Sequence, residues 1–205
     1  MPARAPFLRT ALLAAALLTA CGTTPEPAAA PAAAATSPTP TPSPKSVVSV
    51  GGPGTACALP VSFSLAEDWR PEAIENPEDP EFAALTRQGP AIVRCEVDAK
   101  RAGNIGFIRV WTAKGPARPA LEGFVRAAKK TSDVVYRDTR AGGVPAVEVT
   151  YTFHNEVLGE SKEERAFAVA TPKGAVILHL GGLDTEEHRE MLPAYELAKS
   201  SLTLS

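Results

Sequence analysis

The sequence lacks the features that mark a membrane-spanning or nucleic-acid-binding protein. None of its apolar runs reaches the roughly 18–20 residues that a helix needs to cross a bilayer. Charge is nearly balanced across the 205 residues, with 21 Lys and Arg against 23 Asp and Glu. There is therefore no excess of positive charge of the kind that displaces counterions from nucleic acid. We expect neither a membrane-spanning helix nor a nucleic-acid partner.

Motifs of the common enzyme classes are also missing. There is no G-x-S-x-G nucleophile elbow, no glycine-rich phosphate loop and no Cys-x-x-Cys pair. Only three histidines occur, His154, His179 and His188, and no two of them have the i, i+4 spacing of a helical zinc site. The sequence thus predicts no metal, no cofactor and no catalytic residue.

A short apolar segment lies at the N-terminus. Two arginines precede the apolar core at 11–18, as in an export signal, and we assign residues 1–20 to a signal peptide. As a helix this core rises only about 12 Å, too little for a permanent span.

The end of this signal, LTAC at 18–21, resembles the lipobox of bacterial lipoproteins. The resemblance implies cleavage before Cys21, a diacylglyceryl thioether on Cys21, and often acylation of the new amino group. Several acyl chains on one residue would give the multiple anchor that stable membrane attachment requires. The alternative is an ordinary secretory signal with a chance cysteine.

A tether of biased composition follows. Pro, Ala, Thr, Ser and Gly fill 30 of the 35 positions from 22 to 56. Such a segment cannot bury enough apolar surface to offset its conformational entropy. We therefore divide the mature chain into a lipidated cysteine with a disordered tether, 21–56, and one globular domain, 57–205.

Period-two patterning and short turns define the domain as an α+β fold. Gly142-Gly143 and Pro172-Lys173-Gly174 are turns too short for parallel crossovers, so the sheet is predicted to be largely antiparallel with helices packed on it. A last helix is predicted to open at Asp184 and to kink or restart at Pro193. The predicted strands are 57–65, 91–97, 105–112, 134–139, 144–154, 165–171 and 175–180, and the earlier predicted helix is 119–130.

Three short stretches carry a family resemblance. FSLAEDW at 63–69, AGGVPAVEVTY at 141–151 and the end of the last helix at 200–202 resemble the Mog1/PsbP-like fold. Together with the lipobox and tether, they resemble LpqN-type envelope lipoproteins. That resemblance implies a non-enzymatic envelope protein, in some members associated with lipid or partner-protein binding.

The other two cysteines are Cys57 and Cys95. Both cysteines lie at positions that alternate as the apolar residues do in two neighbouring predicted strands. An extracytoplasmic compartment also favours disulfides. We predict a structural disulfide between them; the alternative is two buried free thiols.

The remaining candidate residues are weaker. His154 shares a polar strand face with Glu148 and Thr152, His179 fits a core histidine between two leucines, and His188 fits an exposed helix residue. The acidic run 67–81 is expected to be a solvated loop, since its prolines do not suit a calcium loop. A further set fits either an apolar ligand cleft or ordinary core packing: Trp69, Trp111, Tyr136, Tyr151 and Phe153.

These observations favour a lipid-anchored binding module on the extracytoplasmic face of the cell membrane, with an envelope lipid, glycan or protein as partner. The alternatives are a scaffold for a membrane complex and an envelope hydrolase centred on His154. The hydrolase requires a Ser or carboxylate within hydrogen-bond reach of that imidazole, in a cleft.

Overall fold

The computed structural model describes residues 46–76, 79–156 and 159–205. The chain divides into two units, Met1–Pro40 and Thr41–Ser205, and all described residues lie in the second. The predicted signal peptide, Cys21 and residues 22–45 of the predicted tether lie outside the described residues. No helix in the described part of the chain is long and apolar enough to cross a membrane.

The described residues form strands and helices in the following order. The strands are β1 (Ser46–Val50), β2 (Val61–Ala66), β3 (Arg70–Ala73), β4 (Arg87–Gln88), β5 (Ala91–Asp98), β6 (Phe107–Ala113), β7 (Thr131–Ala141), β8 (Val144–Asn155), β9 (Glu160–Thr171), β10 (Gly174–Gly181) and β11 (Thr203–Leu204). The helices are α1 (Pro80–Ala83), α2 (Ala117–Ala128) and α3 (Thr185–Ser200), with short 3-10 turns at Ala84–Thr86 and Lys100–Ala102.

The strands form one large and one small antiparallel sheet. The large sheet has the order β3-β5-β6-β10-β9-β8-β7, with β4 also paired to β5, and the small sheet has the order β1-β2-β11. Every strand pair in both sheets is antiparallel. The predicted α+β class with a largely antiparallel sheet is therefore confirmed.

Short sequence signals predicted most of the strands and helices correctly. The two predicted turns connect β7 to β8 and β9 to β10. Asp184 caps α3, its side chain accepting a hydrogen bond from the backbone N–H of Glu187. The predicted restart at Pro193 is wrong, because α3 runs through that residue to Ser200.

The predicted boundary between tether and domain is wrong. Residues 46–50, assigned to the tether, form β1 and pair with β2, and Val50 is fully buried. The predicted first strand is also shorter than expected: Cys57 lies in a loop, and β2 begins only at Val61. The expected parity nevertheless holds, since the apolar side chains at 57, 59, 61, 63 and 65 are all buried.

Both faces of the large sheet are covered. Helix α3 and the small sheet cover one face, in a core that includes Phe63, Phe167, Leu178 and Tyr195. Helix α2 covers the other, where Leu121 and Phe124 pack on a separate core. That second core includes Trp111, Val147, Val149, Ala166, Ala168 and Ile177.

The predicted disulfide is present between Cys57 and Cys95, whose Cα atoms are 5.9 Å apart. It ties the loop between β1 and β2 to the middle of β5, and both cysteines are buried. The bond therefore fixes a loop that has little regular structure of its own.

Replacing both cysteines by alanine should lower the free energy of unfolding by about 4 kcal/mol, because the bond closes a loop of about 39 residues in the unfolded chain. Urea unfolding of the oxidised parent and of the Cys57→Ala, Cys95→Ala variant measures the difference. The reduced parent is the control and should match the variant. A variant within about 1 kcal/mol of the oxidised parent would contradict the prediction.

The β7–β8 turn offers a second test with a matched control. Gly142 has φ +51°, and a Cβ there would lie 1.6 Å from the carbonyl oxygen of Leu202. Gly143 has φ +85° but faces open space. Both alanine variants incur the backbone cost of about 1–2 kcal/mol, and Gly142→Ala should lose about 1–3 kcal/mol more through overpacking. Equal midpoints of thermal or urea unfolding for the two variants would show that the close approach is unimportant.

Candidate functional site

A cleft opens on the α2 face of the large sheet, beyond the C-terminal end of that helix. Helix α2 stops at Ala128, where Lys129 takes φ +53° and so leaves helical geometry. Strands β8, β9 and β10 continue past this point. The cleft has a volume of about 420 Å³. We call it the polar cleft, and its lining residues are Arg87, Gln88, Gly89, Ala127, Ala128, Tyr151, Phe153, Lys162, Glu164 and His179.

Buried polar side chains form the floor of the polar cleft. Glu164 and His179 are 5% and 8% exposed. The two carboxylate oxygens of Glu164 have separate partners: Oε1 lies 2.9 Å from Lys162 Nζ, and Oε2 contacts His179 Nε2. The Tyr151 hydroxyl lies 3.4 Å from the same His179 nitrogen. Four polar groups from three adjacent strands thus form one row.

The strand register explains why these residues meet. Tyr151 lies directly opposite Glu164 in the β8–β9 pair. His179 lies opposite Ala166 in the β9–β10 pair, which places it diagonally from Glu164 on the same face. Directly opposite and diagonal neighbours are the side chains that contact one another across strands.

The contacts of Glu164 stabilise its charged form. Burial by itself raises the pKa of this carboxyl group, but the contacts with His179 and Lys162 outweigh burial and hold the pKa below its ordinary value. Burial raises the pKa of Tyr151 well above its ordinary value, and the Glu164 charge adds to that effect. At neutral pH the floor therefore presents a paired carboxylate and a neutral phenol.

The row leaves two hydrogen-bonding positions open. An ionised carboxylate only accepts, so His179 Nε2 donates to Glu164 and does not accept from Tyr151. The Tyr151 hydroxyl hydrogen then has no acceptor among the described residues. His179 Nδ1 is buried without a partner, and the rings of Phe107 and Phe124 pack edge-on against the imidazole.

The floor is poorly suited to acid–base catalysis. A general base works best when its pKa lies near the operating pH, whereas the pKa of Glu164 is lowered and both of its oxygens are engaged. No group of three or more His, Cys, Asp or Glu in the described part of the chain could hold a metal ion. The row thus presents fixed hydrogen-bond donors and acceptors at the cleft floor.

His154 has hydrogen-bond partners but no catalytic surroundings. Its Nε2 lies 2.9 Å from Ser132 Oγ and its Nδ1 lies 2.7 Å from Ser161 Oγ, so a serine is within reach as the hydrolase hypothesis requires. Neither ring nitrogen contacts a carboxylate; Asp133 instead accepts from Ser132. His154 lines neither the polar cleft nor the second cavity of the domain, which lies beside the loop between β1 and β2. The requirement for a cleft is therefore not met at either cavity.

Other candidate residues separate into core and surface. Trp69 and Trp111 are buried in the cores, whereas Tyr151 and Phe153 line the polar cleft. The acidic run is partly structured, since Glu72 lies on β3 and Asp79 caps α1. The prediction that His188 is exposed is wrong: it is 2% exposed, because it lies on the face of α3 that packs on the sheet.

A second cavity, of about 650 Å³, lies at the end of the large sheet where β6 and β10 meet the loop between β1 and β2. We call it the loop groove. Its lining residues are Gly51, Pro53, Ala58, Leu59, Pro60, Arg94, Thr112, Thr171, Lys173, Ala175 and Ser205.

Comparisons with known proteins give a family and a structural likeness. Residues 26–202 match the family described as "Uncharacterised lipoprotein". No curated protein matches the sequence. The solution structure of cyanobacterial PsbP (CyanoP) from Synechocystis sp. PCC 6803 is similar, with a TM-score of 0.45 and 10% identity over 76% of this chain and 97% of that chain.

Acid should destabilise the domain through His188. Burial, aided by the Arg165 charge, lowers the pKa of His188 to about 4, whereas an unfolded histidine titrates near about 6.5. The unfolded chain therefore takes up the proton first, and stability that is complete above about pH 6.5 is lost as the pH falls towards 4. We expect a loss of about 2–3 kcal/mol over this range.

Between pH 6.5 and pH 4, the variant His188→Leu should lose about 2–3 kcal/mol less stability than the parent. Urea unfolding of both proteins at each pH measures this difference. Glu164 acts in a lower window: because its folded pKa is below the ordinary value of 4.5, its contribution is lost only below about pH 4.5. Parallel pH profiles for parent and variant above pH 4.5 would rule His188 out as the cause.

Proposed function

The chain belongs to the family of uncharacterised lipoproteins, and from this premise we propose that it is a lipid-anchored, non-catalytic module that binds a glycan in its polar cleft. The anchor is Cys21, and the module acts at the extracytoplasmic face of the cell membrane. Family membership and the export signal and lipobox in the first 21 residues support this location. The LpqN-type resemblance agrees with a non-enzymatic role.

The observation that carries the proposal is the row formed by the half-buried Lys162 and the buried Glu164, His179 and Tyr151 on the cleft floor. An acyl chain lying on this floor would cover charged groups without offering hydrogen bonds, which is costly. A ligand rich in hydroxyl groups can instead accept from the Tyr151 hydroxyl and donate to the free lone pairs of Glu164. The chemistry of the floor therefore favours a polar ligand.

The sides of the cleft suit a sugar ring. Phe153 is half-buried and lines the cleft, and Tyr151, which is 4% exposed, lines it as well. Aromatic rings provide a flat apolar surface for the C–H faces of a ligand while leaving its polar edge to hydrogen bonds. A volume of about 420 Å³ lies in the range of small-molecule sites. One or two sugar rings of an envelope polymer are the ligand we propose.

A non-catalytic role follows from the state of the charged groups. Both Glu164 oxygens are paired, and a buried ion pair that is broken leaves an uncompensated charge at a cost of about 3–5 kcal/mol. Proton transfer from or to Glu164 would break these pairs. The row is therefore suited to holding a ligand in one orientation and not to transferring a proton.

Site-specific photocrosslinking in living cells tests this proposal, because the probe captures whichever molecule occupies the cleft. Phe153→p-benzoylphenylalanine places the probe at the cleft edge in the full chain. Val48→p-benzoylphenylalanine, at an exposed position of β1, is the control. Adducts are digested and classified by mass spectrometry as sugar, lipid or protein. We expect sugar adducts from position 153 and none from position 48.

A pair of tyrosine variants links the adduct to the cleft floor. Tyr151→Phe removes only the hydroxyl that faces the ligand and should lower the adduct yield about three- to tenfold, the effect of one lost hydrogen bond. Tyr136→Phe makes the same change outside the cleft and should leave the yield unchanged. Lipid or protein adducts in place of sugar at position 153, or equal yields from the two tyrosine variants, would refute glycan binding here.

A further inference from the structure

The wall of the loop groove is a rigid loop. Gly51 takes φ +104° and forms a bridge with Ala58, and the backbone N–H of Leu59 donates to the Gly51 carbonyl at 3.0 Å. The Thr55 hydroxyl accepts from the Gly51 N–H at 3.1 Å. The disulfide at Cys57 then fastens the loop to β5. The groove is thus held open by covalent and hydrogen-bonded structure.

Two basic side chains without acidic partners line this groove. Arg94 on β5 is exposed, and its Nε donates to Thr112 Oγ1 at 3.1 Å. Its two terminal nitrogens have no partner among the described residues. Lys173, in the turn between β9 and β10, is exposed and forms no ion pair within the described part of the chain. The groove therefore presents up to seven unpaired N–H donors.

Among the residues that the structure describes, no acidic side chain lines the loop groove. In the polar cleft, by contrast, Lys162 is paired with Glu164, while the exposed Arg87 at its rim forms no ion pair among the described residues. Some other strand cations are also paired, for example Arg109 with Glu96 at 2.7 Å and Arg165 with Glu196 at 3.1 Å. Arg94 and Lys173 thus form a local positive site on a chain whose formal charge is −2.

We infer that the loop groove is a second binding site, separate from the polar cleft, for a phosphate-bearing ligand. An arginine fork matches phosphate oxygens in a bidentate manner, and lysine binds them as a point charge. Thr112 Oγ1 accepts from Arg94, so its own hydroxyl hydrogen is free to donate to a third oxygen. Arg94, Thr112 and Lys173 all line the same groove, so one phosphate group lying in it can contact all three.

The apolar wall limits what else the ligand carries. Pro53, Leu59 and Pro60 also line the groove, so an apolar or sugar-like portion next to the phosphate can pack on them. A phospholipid headgroup and a soluble phosphate ester both offer this chemistry. The experiment therefore needs one arm for each source.

Lysine footprinting on the full chain in nonionic detergent tests the site. Amine acetylation is followed by mass spectrometry at Lys173, with the exposed Lys129 as internal reference, while inorganic phosphate or glycerol phosphate is added. A site with a Kd of about 1 mM slows modification of Lys173 about tenfold at about 10 mM ligand. Sodium chloride at the same ionic strength controls for screening. In the second arm the same chain is reconstituted in vesicles of phosphatidylcholine with or without phosphatidylglycerol.

Matched arginine variants locate the effect. Arg94→Gln should abolish the protection of Lys173, whereas Arg101→Gln, at an exposed arginine on a 3-10 turn outside the groove, should retain it. Protection by the soluble phosphates supports a soluble ester, and protection only in phosphatidylglycerol vesicles supports a lipid headgroup. Equal slowing of Lys173 and Lys129, protection retained in Arg94→Gln, or no protection in either arm would overturn the inference. None of these outcomes depends on the polar cleft.

Discussion

The mismatch in length between helix α2 and the strands beneath it determines where this domain can bind. The helix has 12 residues and is about 18 Å long, whereas β8 and β9 have 12 residues each and extend about 40 Å. The helix can therefore bury only about half of this sheet face. Where it covers the sheet, the side chains are apolar and close-packed. Where it ends, the same face carries Tyr151, Lys162, Glu164 and His179, and the polar cleft is the space left beside them.

A second constraint, the disulfide, has a comparable role at the end of the sheet where the loop groove lies. The loop between β1 and β2 contains three glycines and two prolines in residues 51–60 and buries few large side chains. Its shape depends on the bond from Cys57 to Cys95 and on the hydrogen bonds of Thr55. Both cavities thus lie where regular packing stops, and rigid elements hold the side chains at their edges. Binding residues are commonly placed in this way.

How much could be predicted from the sequence depended on whether a signal was local. The signals that led to correct predictions involve neighbours in sequence. They are the alternation of Val147, Val149 and Tyr151 with polar residues, the turn at 172–174 and the cap at Asp184. Strand β1 was missed because its partner β2 lies more than ten residues away and its flanks have tether composition. The cleft was missed because Lys162 and Glu164 lie in a charged run, SKEER, that is typical of a solvated strand. Once the turn at 172–174 fixes the register between β9 and β10, the alternation of side chains along these strands places Glu164 beside His179 on the face of the sheet that carries α2.

The two cavities differ in how their charges are compensated, and this difference separates the ligands they suit. In the polar cleft the protein has already removed Lys162 and Glu164 from water and paired them. A ligand there gains little from carrying a charge and much from supplying hydrogen bonds. In the loop groove Arg94 and Lys173 remain hydrated and unpaired, so an anion gains Coulomb energy that salt screens over roughly 8–10 Å. The neutral polar ligand and the anionic ligand that we propose would therefore occupy two distinct surfaces of the domain.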